Sequence, residues 1–135
     1  MPRQFMYEAV SSLPTVQASF GGRVMSVGAG EGPGGEDDRP TVPFIIIRSS
    51  TNQRGEGRVK QQRYQVWVHW SGGDTTPADN AVVELENVLP GKAGVSSPDG
   101  YIMDVRWEDT SGDGYDDHYG TNVRYVTFLA TYSTA

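Results

Sequence analysis

Apolar residues recur at spacings of three and four in two segments of the chain, and this pattern predicts two amphipathic helices. The first covers residues 3–13 and is expected to end at Pro14, because proline cannot continue a helix. The second covers residues 77–89, where Thr76 is a favourable N-cap and Pro77 suits the first turn. We therefore expect one helix early in the chain and one in its second half.

Apolar and polar residues alternate over residues 63–70 and again over residues 101–108, a pattern typical of half-buried strands. Because successive side chains point to opposite faces of a sheet, one face of each strand is expected to be buried. The side chains expected to face inward are Tyr64, Val66, Val68 and Trp70 in the first segment and Tyr101, Met103, Val105 and Trp107 in the second.

Residues 44–48 hold an uninterrupted apolar run that is typical of a strand buried on both faces. Two further strands are predicted at residues 23–27 and 122–132. Runs of strands with the helices set apart indicate an α+β fold. We expect a mostly antiparallel sheet of four to five strands with two helices on one face, in the order α-β-β-β-α-β-β.

The length of 135 residues fits a single domain that spans residues 1–135. Two segments interrupt the apolar pattern. Residues 28–41 are rich in glycine, proline and acidic side chains, and residues 49–62 are polar with several basic side chains. Such segments bury too little apolar surface to offset the entropy lost on ordering, so both are predicted to be mobile loops.

Acidic residues outnumber basic ones by 17 to 11, a net charge of −6, which disfavours a nucleic-acid-binding surface spread over the whole molecule. Cysteine is absent, so the chain has no disulfide and no thiolate chemistry. No apolar run approaches the roughly 18 residues of a membrane span, and the first residues lack the apolar stretch of a secretory signal. We expect a protein that folds in a cytoplasm and has no membrane partner.

Catalytic motifs are not recognisable in this sequence. The two histidines, His69 and His118, lie in different predicted elements, and neither is accompanied by a known nucleophile motif. His69 lies on the polar face of its strand, so we expect a surface or interface histidine rather than a general base. We predict that the protein is not an enzyme, with no catalytic residue and no cofactor.

Residues 109–120 resemble a calcium-binding loop in the spacing of their oxygen-bearing side chains. Gly120 stands where such a loop needs a bidentate glutamate, and the flanking segments are strands rather than helices. A wide turn between two strands explains the same composition, and we expect that structure rather than a metal site. The candidate ligands of the alternative, a calcium-binding β-rich module, are Asp109, Ser111, Asp113 and Asp117.

Basic and aromatic side chains of residues 54–69 are candidates for a protein interface. Arginine and tryptophan are enriched in the centres of such interfaces, whereas one small basic patch on an acidic molecule would bind nucleic acid only loosely. An acidic protein neighbour is therefore the expected partner. The interface candidates are Arg54, Arg58, Lys60, Arg63, Gln65, Trp67 and His69.

The order and character of these segments resemble the tail terminator (tail completion) proteins of long-tailed bacteriophages. The resemblance covers nearly the whole chain and rests on the N-terminal helix, residues 23–27, 42–47 and 63–70, the helix that ends in Leu89, residues 103–108, the acidic turn at 111–116 and the last strand at 124–132.

This resemblance implies a virion protein of the tail or neck, assembled in the host cytoplasm. Members of the family form a ring, typically of six copies, that caps the tail tube, ends its polymerisation and joins the tail to the head-side connector. The implied partners are further copies of the chain, the major tail tube protein and a connector or head-completion protein. DNA would only pass through the lumen, past an acidic protein that repels phosphates. Another neck component, such as a head-completion or minor capsid protein, is the alternative within the same particle.

Overall fold

The computed structural model describes residues 2–27, 42–55, 57–98 and 100–134, with residues 51–54 described by their backbone. The loop predicted at residues 28–41 lies outside these residues. The helices are α1 (Arg3–Ser11), α2 (Pro14–Phe20) and α3 (Thr76–Val88), followed by a 3₁₀ helix (Leu89–Lys92). The strands are β1 (Val24–Val27), β2 (Phe44–Arg54), β3 (Val59–Trp70), β4 (Val95–Ser97), β5 (Gly100–Thr110), β6 (Gly114–Asp116) and β7 (Thr121–Ser133).

The described strands form one sheet in the order β1-β2-β3-β7-β5-β4, and β6 pairs with the first residues of β7. Strand β1 runs parallel to β2, whereas the other pairs are antiparallel. The predicted α+β class is confirmed, and the described pairs are mostly antiparallel as expected, but the predicted strand number and order are wrong. The two described strands that were not predicted, β4 and β6, have three residues each, which is too short for alternation to be recognised.

The predicted N-terminal helix is present as α1, and a second helix that was not predicted, α2, follows it. Helix α1 ends at Ser11, and Pro14 begins α2 instead of ending the preceding helix, because proline suits the first turn, where its missing N–H has no helical partner. Glu84 of α3 accepts a hydrogen bond from the backbone N–H of Thr15 at 3.2 Å and another from the Thr15 hydroxyl. A carboxylate from a distant segment thus caps α2, and no local pattern could indicate that contact.

All three α-helices pack on one face of the sheet, as expected. Helix α1 lies against β1 and β2, α3 lies against β3 and β7, and the 3₁₀ helix contacts β5. The largest buried side chains between the two layers come from both helices and strands: Met6, Leu13, Phe20, Ile45, Ile47, Tyr64, Leu85, Leu89, Phe128 and Tyr132.

The segment 49–62 is not a loop. Most of it belongs to β2 and β3, which pair with each other as far as Arg54 and Gln61, and Gly57 and Arg58 lie in the turn that precedes β3. The segment was predicted to be a loop because it is polar, but polar side chains also occur in strands, on the face of the sheet away from the helices. Gln62, on the helix-facing side, is buried and donates a hydrogen bond to the Ser50 backbone carbonyl at 2.6 Å.

The two alternating strands differ in their burial. Tyr64, Val66, Val68 and Trp70 of β3 are buried as predicted, but on β5 Tyr101, Met103 and Trp107 are 45–47% exposed. Bulges in the pairing of β5 with β7, between Ile102 and Asp104 and between Trp107 and Asp109, change which side chains share a face. The buried apolar side chains of β5 are Ile102 and Val105.

Candidate interaction surface

The sheet face opposite the helices carries a second, smaller apolar cluster. Phe44 and Ile46 of β2 are completely buried there, and Met25, Val27 and Trp67 pack against them. The turn between β6 and β7 folds back and adds Tyr119, which is 4% exposed. The prediction that residues 44–48 form a strand buried on both faces is therefore confirmed for Phe44 to Ile47.

His69 belongs to this cluster and is buried, so the expectation of a surface histidine is wrong. Its ring stacks on Phe44 with centroids 4.4 Å apart, and a ring nitrogen shares a hydrogen bond of 2.8 Å with the Thr121 hydroxyl. Burial lowers the pKa of His69 to about 4, against an opposing effect of the negative charge of Asp116, and the positive charge of Arg48 makes a smaller contribution in the same direction as burial. His69 is therefore a neutral part of the core at physiological pH.

Trp67 and Gln65 lie on the same face and are half-buried. The Trp67 indole N–H donates to the Gln65 side-chain oxygen at 3.2 Å, and its ring lies 4.5 Å from that of Tyr125 on β7. The hydrogen bond within β3 and the ring contact with the neighbouring strand β7 hold the indole in place. Trp67 therefore presents a fixed aromatic surface, and its place in an interface stays a prediction.

Arg63 also lies on this face and is exposed. Its guanidinium forms a forked pair with the Glu108 carboxylate of β5 across β7, with distances of 2.6 and 3.1 Å. The hydrogen bond from Arg63 holds the pKa of Glu108 below its usual range. Arg63 is thus already paired within the chain, which reduces what it can offer to an acidic neighbour.

The remaining basic candidates lie at the far end of the β2–β3 hairpin. Arg58 is exposed in the turn, and Lys60 is half-buried near the start of β3. Arg54 ends β2, where its backbone pairs with that of Gln61. The seven candidates therefore divide into this hairpin end, an aromatic centre on the open sheet face, and one buried histidine.

The sequence predicted strand β5, but not its exposed position near the edge of the sheet. Tyr101, Met103 and Trp107 are exposed, and the charged residues Asp104, Arg106 and Glu108 lie between and beside them, with Asp104 and Arg106 exposed and Glu108 half-buried. Charged side chains on one face are common on edge strands, where they hinder unwanted pairing. The charged residues were the available indication of an edge strand, but a central strand with one solvent-exposed face has the same sequence pattern.

Arg124 of β7 connects helix α3 to the loop after β5. Its guanidinium donates to Asp79 of α3 at 2.7 Å and to Asp113 at 2.8 Å, and lies 5.6 Å from the centre of the Trp70 ring. The hydrogen bond from Arg124 is the main reason that the pKa of Asp79 lies below its usual range. The carboxylate of Asp113, one of the candidate calcium ligands, is therefore already neutralised by an arginine.

The other candidate calcium ligands are not gathered around a common point. The short strand β6 divides residues 109–120, and Asp116 accepts hydrogen bonds from the backbone N–H groups of His118 and Tyr119. Ser111 is hydrogen-bonded to the backbone of Tyr125. Within the ranges that the structure describes, no group of three or more His, Asp or Glu side chains could hold a metal ion. Asp109 lies on exposed β5 and Asp117 in the exposed turn after β6.

No helix in the described part of the chain is long and apolar enough to cross a bilayer. No model of a known protein family matches the sequence, and no curated protein matches it.

Among solved structures, the chain is similar to a chain of the virion of a native gene transfer agent (GTA) particle. The two share 14% sequence identity with a TM-score of 0.69, and the similarity covers 94% of this chain and 90% of that chain. Because it spans both chains almost completely, it establishes a common fold for the whole chain. It does not by itself assign a function.

Proposed function

We propose that this chain is a structural protein of a phage-like particle, and specifically a tail terminator. It forms a ring, typically of six copies in proteins of this kind, that caps the tail tube, ends its polymerisation and joins the tail to the head-side connector. The observation that carries the proposal is the similarity, over almost the whole chain, to a chain of a gene transfer agent virion. The order of elements that resembles tail terminator proteins supports the finer assignment.

The charge and surface of the chain suit such a role. A ring of identical copies closes through a heterologous interface, so each copy must present two different surfaces to its neighbours. The open sheet face with Trp67 and the exposed apolar residues of β5 are two separate surfaces of that kind. A net charge of −6 also favours passage of DNA through a lumen without retention, because like charges repel. The role proposed needs no reaction and no cofactor.

The proposal is tested by mixing the purified protein with tail tubes of the particle that encodes it and imaging by negative stain. We expect a ring-shaped density at one end of the tubes, and tubes of abnormal length when the gene is deleted. Light scattering of the protein alone and with tubes gives the mass of the assembly. A chain that stays monomeric and leaves both tube ends bare would contradict the proposal.

A second function in the same particle follows from the same similarity, because a virion contains several structural proteins. The chain would then be a head-completion or minor capsid protein that binds connector rings. Parallel pull-downs with isolated tail tubes and isolated connector rings separate the two functions. Retention by connector rings alone would favour the second function.

A further inference from the structure

Strand β5 has an outer edge that no described strand covers beyond Ile102. Strand β4 pairs only with Gly100 to Ile102, and the following segment, Met103 to Thr110, pairs with β7 on its inner side except at the bulges at Met103 and Glu108. The backbone N–H and C=O groups of such an edge can accept another strand. Beside them, Met103 and Trp107 are 47% and 45% exposed. The edge therefore offers both hydrogen-bonding groups and apolar surface.

A second uncovered edge lies on the opposite side of the sheet. Strand β1 pairs with Ile45 to Arg48 of β2, and no described strand pairs with the outer edge of residues 51–54. The register of the pairings across the sheet places the uncovered segment of β2 and the uncovered segment of β5 at the same height along the strand direction. Arg54 pairs with Gln61, Gln61 with Thr131, and Thr131 with Asp104.

The directions of the strands allow these two edges to pair between copies. Three successive antiparallel pairings connect β2 to β5 through β3 and β7, so β2 and β5 run in opposite directions. A neighbouring copy in the same orientation would therefore place its β2 antiparallel to β5 of the first copy. Antiparallel pairing is the commoner arrangement, and this contact joins two different surfaces, as a closed ring requires.

Charge distinguishes this contact from pairing between two β5 edges. Residues 103–110 contain three acidic residues and one basic residue, a net charge of −2. The hairpin end at residues 54–60 contains three basic residues and one acidic residue, a net charge of +2. Two β5 edges would therefore repel each other, whereas a β5 edge and a hairpin end attract.

We propose that β5 of one copy pairs with the end of β2 in a second copy, so that the sheet continues from copy to copy. The inference rests on the proposed ring, because a heterologous contact of this kind repeats until the assembly closes. Its occupant is another copy of this chain, and the hairpin end with Arg58 and Lys60 forms the basic side of the contact.

Engineered cysteines test the contact, since the natural chain has none. Gln53→Cys is combined with Asp104→Cys in one variant and with Arg106→Cys in another, so that two registers are sampled. After mild oxidation in the assembled state, we expect a ladder of covalent oligomers beyond the dimer on a non-reducing gel. The single-cysteine variants are the controls, since each can form a dimer at most. A dimer formed by Arg106→Cys alone, with no ladder from the double variants, would instead indicate pairing of two β5 edges and overturn the proposal.

Surface variants provide an independent measurement. Met103→Lys and Trp107→Lys place a charge on the edge and are expected to abolish the oligomer seen by light scattering while the far-ultraviolet circular dichroism stays unchanged. Tyr115→Lys is the matched control, because Tyr115 is 63% exposed but lies on β6. If both edge variants still form rings and the double-cysteine variants give no ladder, the contact is refuted but the ring function remains intact. Absence of any ring from the natural chain, with or without tubes, would refute the ring function itself.

Discussion

Strands β3 and β5 have the same alternation of apolar and polar residues, yet they occupy very different environments. Strand β3 lies between β2 and β7, and its four inward side chains are at most 4% exposed. Strand β5 lies near the edge of the sheet, contains two bulges, and exposes nearly half of Tyr101, Met103 and Trp107. Alternation therefore indicates a strand, but it does not indicate how many neighbours the strand has. In this molecule the difference separates a core strand from a candidate interaction strand.

An aspartate introduced into β3 and into β5 should give the largest difference between the two strands in the free energy of unfolding. Val68→Asp buries a carboxylate in the apolar core of β3, so we expect a loss of more than about 4 kcal/mol of unfolding free energy and failure to fold. Met103→Asp on β5 should change that free energy by less than about 0.5 kcal/mol, since the side chain already contacts solvent. Urea unfolding monitored by circular dichroism measures both. Similar losses in the two variants would contradict the assignment of β5 as an exposed strand.

His69, on the face of β3 away from the helices, should make the free energy of unfolding depend on pH. The pKa of His69 is about 4 in the fold and near 6.5 when unfolded, so the unfolded chain binds the proton more strongly. Neutral His69 therefore stabilises the fold fully above pH 6.5, and this contribution is lost as the pH falls towards 4. The expected loss between pH 7 and pH 4.5 is about 2–3 kcal/mol.

Carboxylates also titrate in this range, so the measurement is a difference between two variants. The pH dependence of urea unfolding in the natural chain is compared with that of His69→Gln, in which the imidazole is absent. A smaller pH dependence in His69→Gln confirms the role of His69. Equal slopes would show that the imidazole is not held neutral by burial.

Arg124 connects the centre of the sheet to the loop that follows β5. Arg124→Met removes the hydrogen bonds to Asp79 and Asp113 and the contact with the Trp70 ring, with an expected cost of about 1–2 kcal/mol. Arg106→Met is the matched control, because Arg106 is exposed on β5 and should contribute little. Thermal unfolding of both variants at low and high salt measures the effect. Equal melting temperatures would contradict a structural role for Arg124.

The pair between Arg63 on β3 and Glu108 on β5 should have the smallest effect on stability. Both side chains are partly exposed, at 45% and 24%, so solvent and salt screen their attraction. A double-mutant cycle with Arg63→Gln and Glu108→Gln should give a coupling free energy below about 0.5 kcal/mol. A coupling well above this value would show that the pair helps to fix β5 against the sheet.

Calcium is expected to have no effect on the stability of the protein. Millimolar Ca²⁺ should not change the melting temperature, because the candidate ligands after β5 are dispersed and Asp113 is paired with Arg124. Isothermal titration under the same conditions should give no binding heat. Saturable heat would establish the calcium-binding alternative for residues 109–120.

Part of the candidate surface was predictable because its residues belong to a regular central strand. The spacing of residues 63–70 placed Arg63, Gln65 and Trp67 on one face, and the structure places them on the sheet face away from the helices. His69 shares that spacing but is buried, because the turn between β6 and β7 covers the end of the strand with Tyr119. A contact between residues 50 positions apart leaves no local pattern.

The sequence alone determined the α+β class, the central strands and the amphipathic helix α3, because periodicity reports which side chains of one segment share a face. It also determined the net charge and the absence of cysteine. Only the tertiary structure decided which strands have two neighbours, where bulges reverse a face and which polar residues are buried. Those properties depend on contacts between segments distant in the chain. The exposed edge of β5 is a property of the assembled sheet and has no counterpart in the spacing of its own residues.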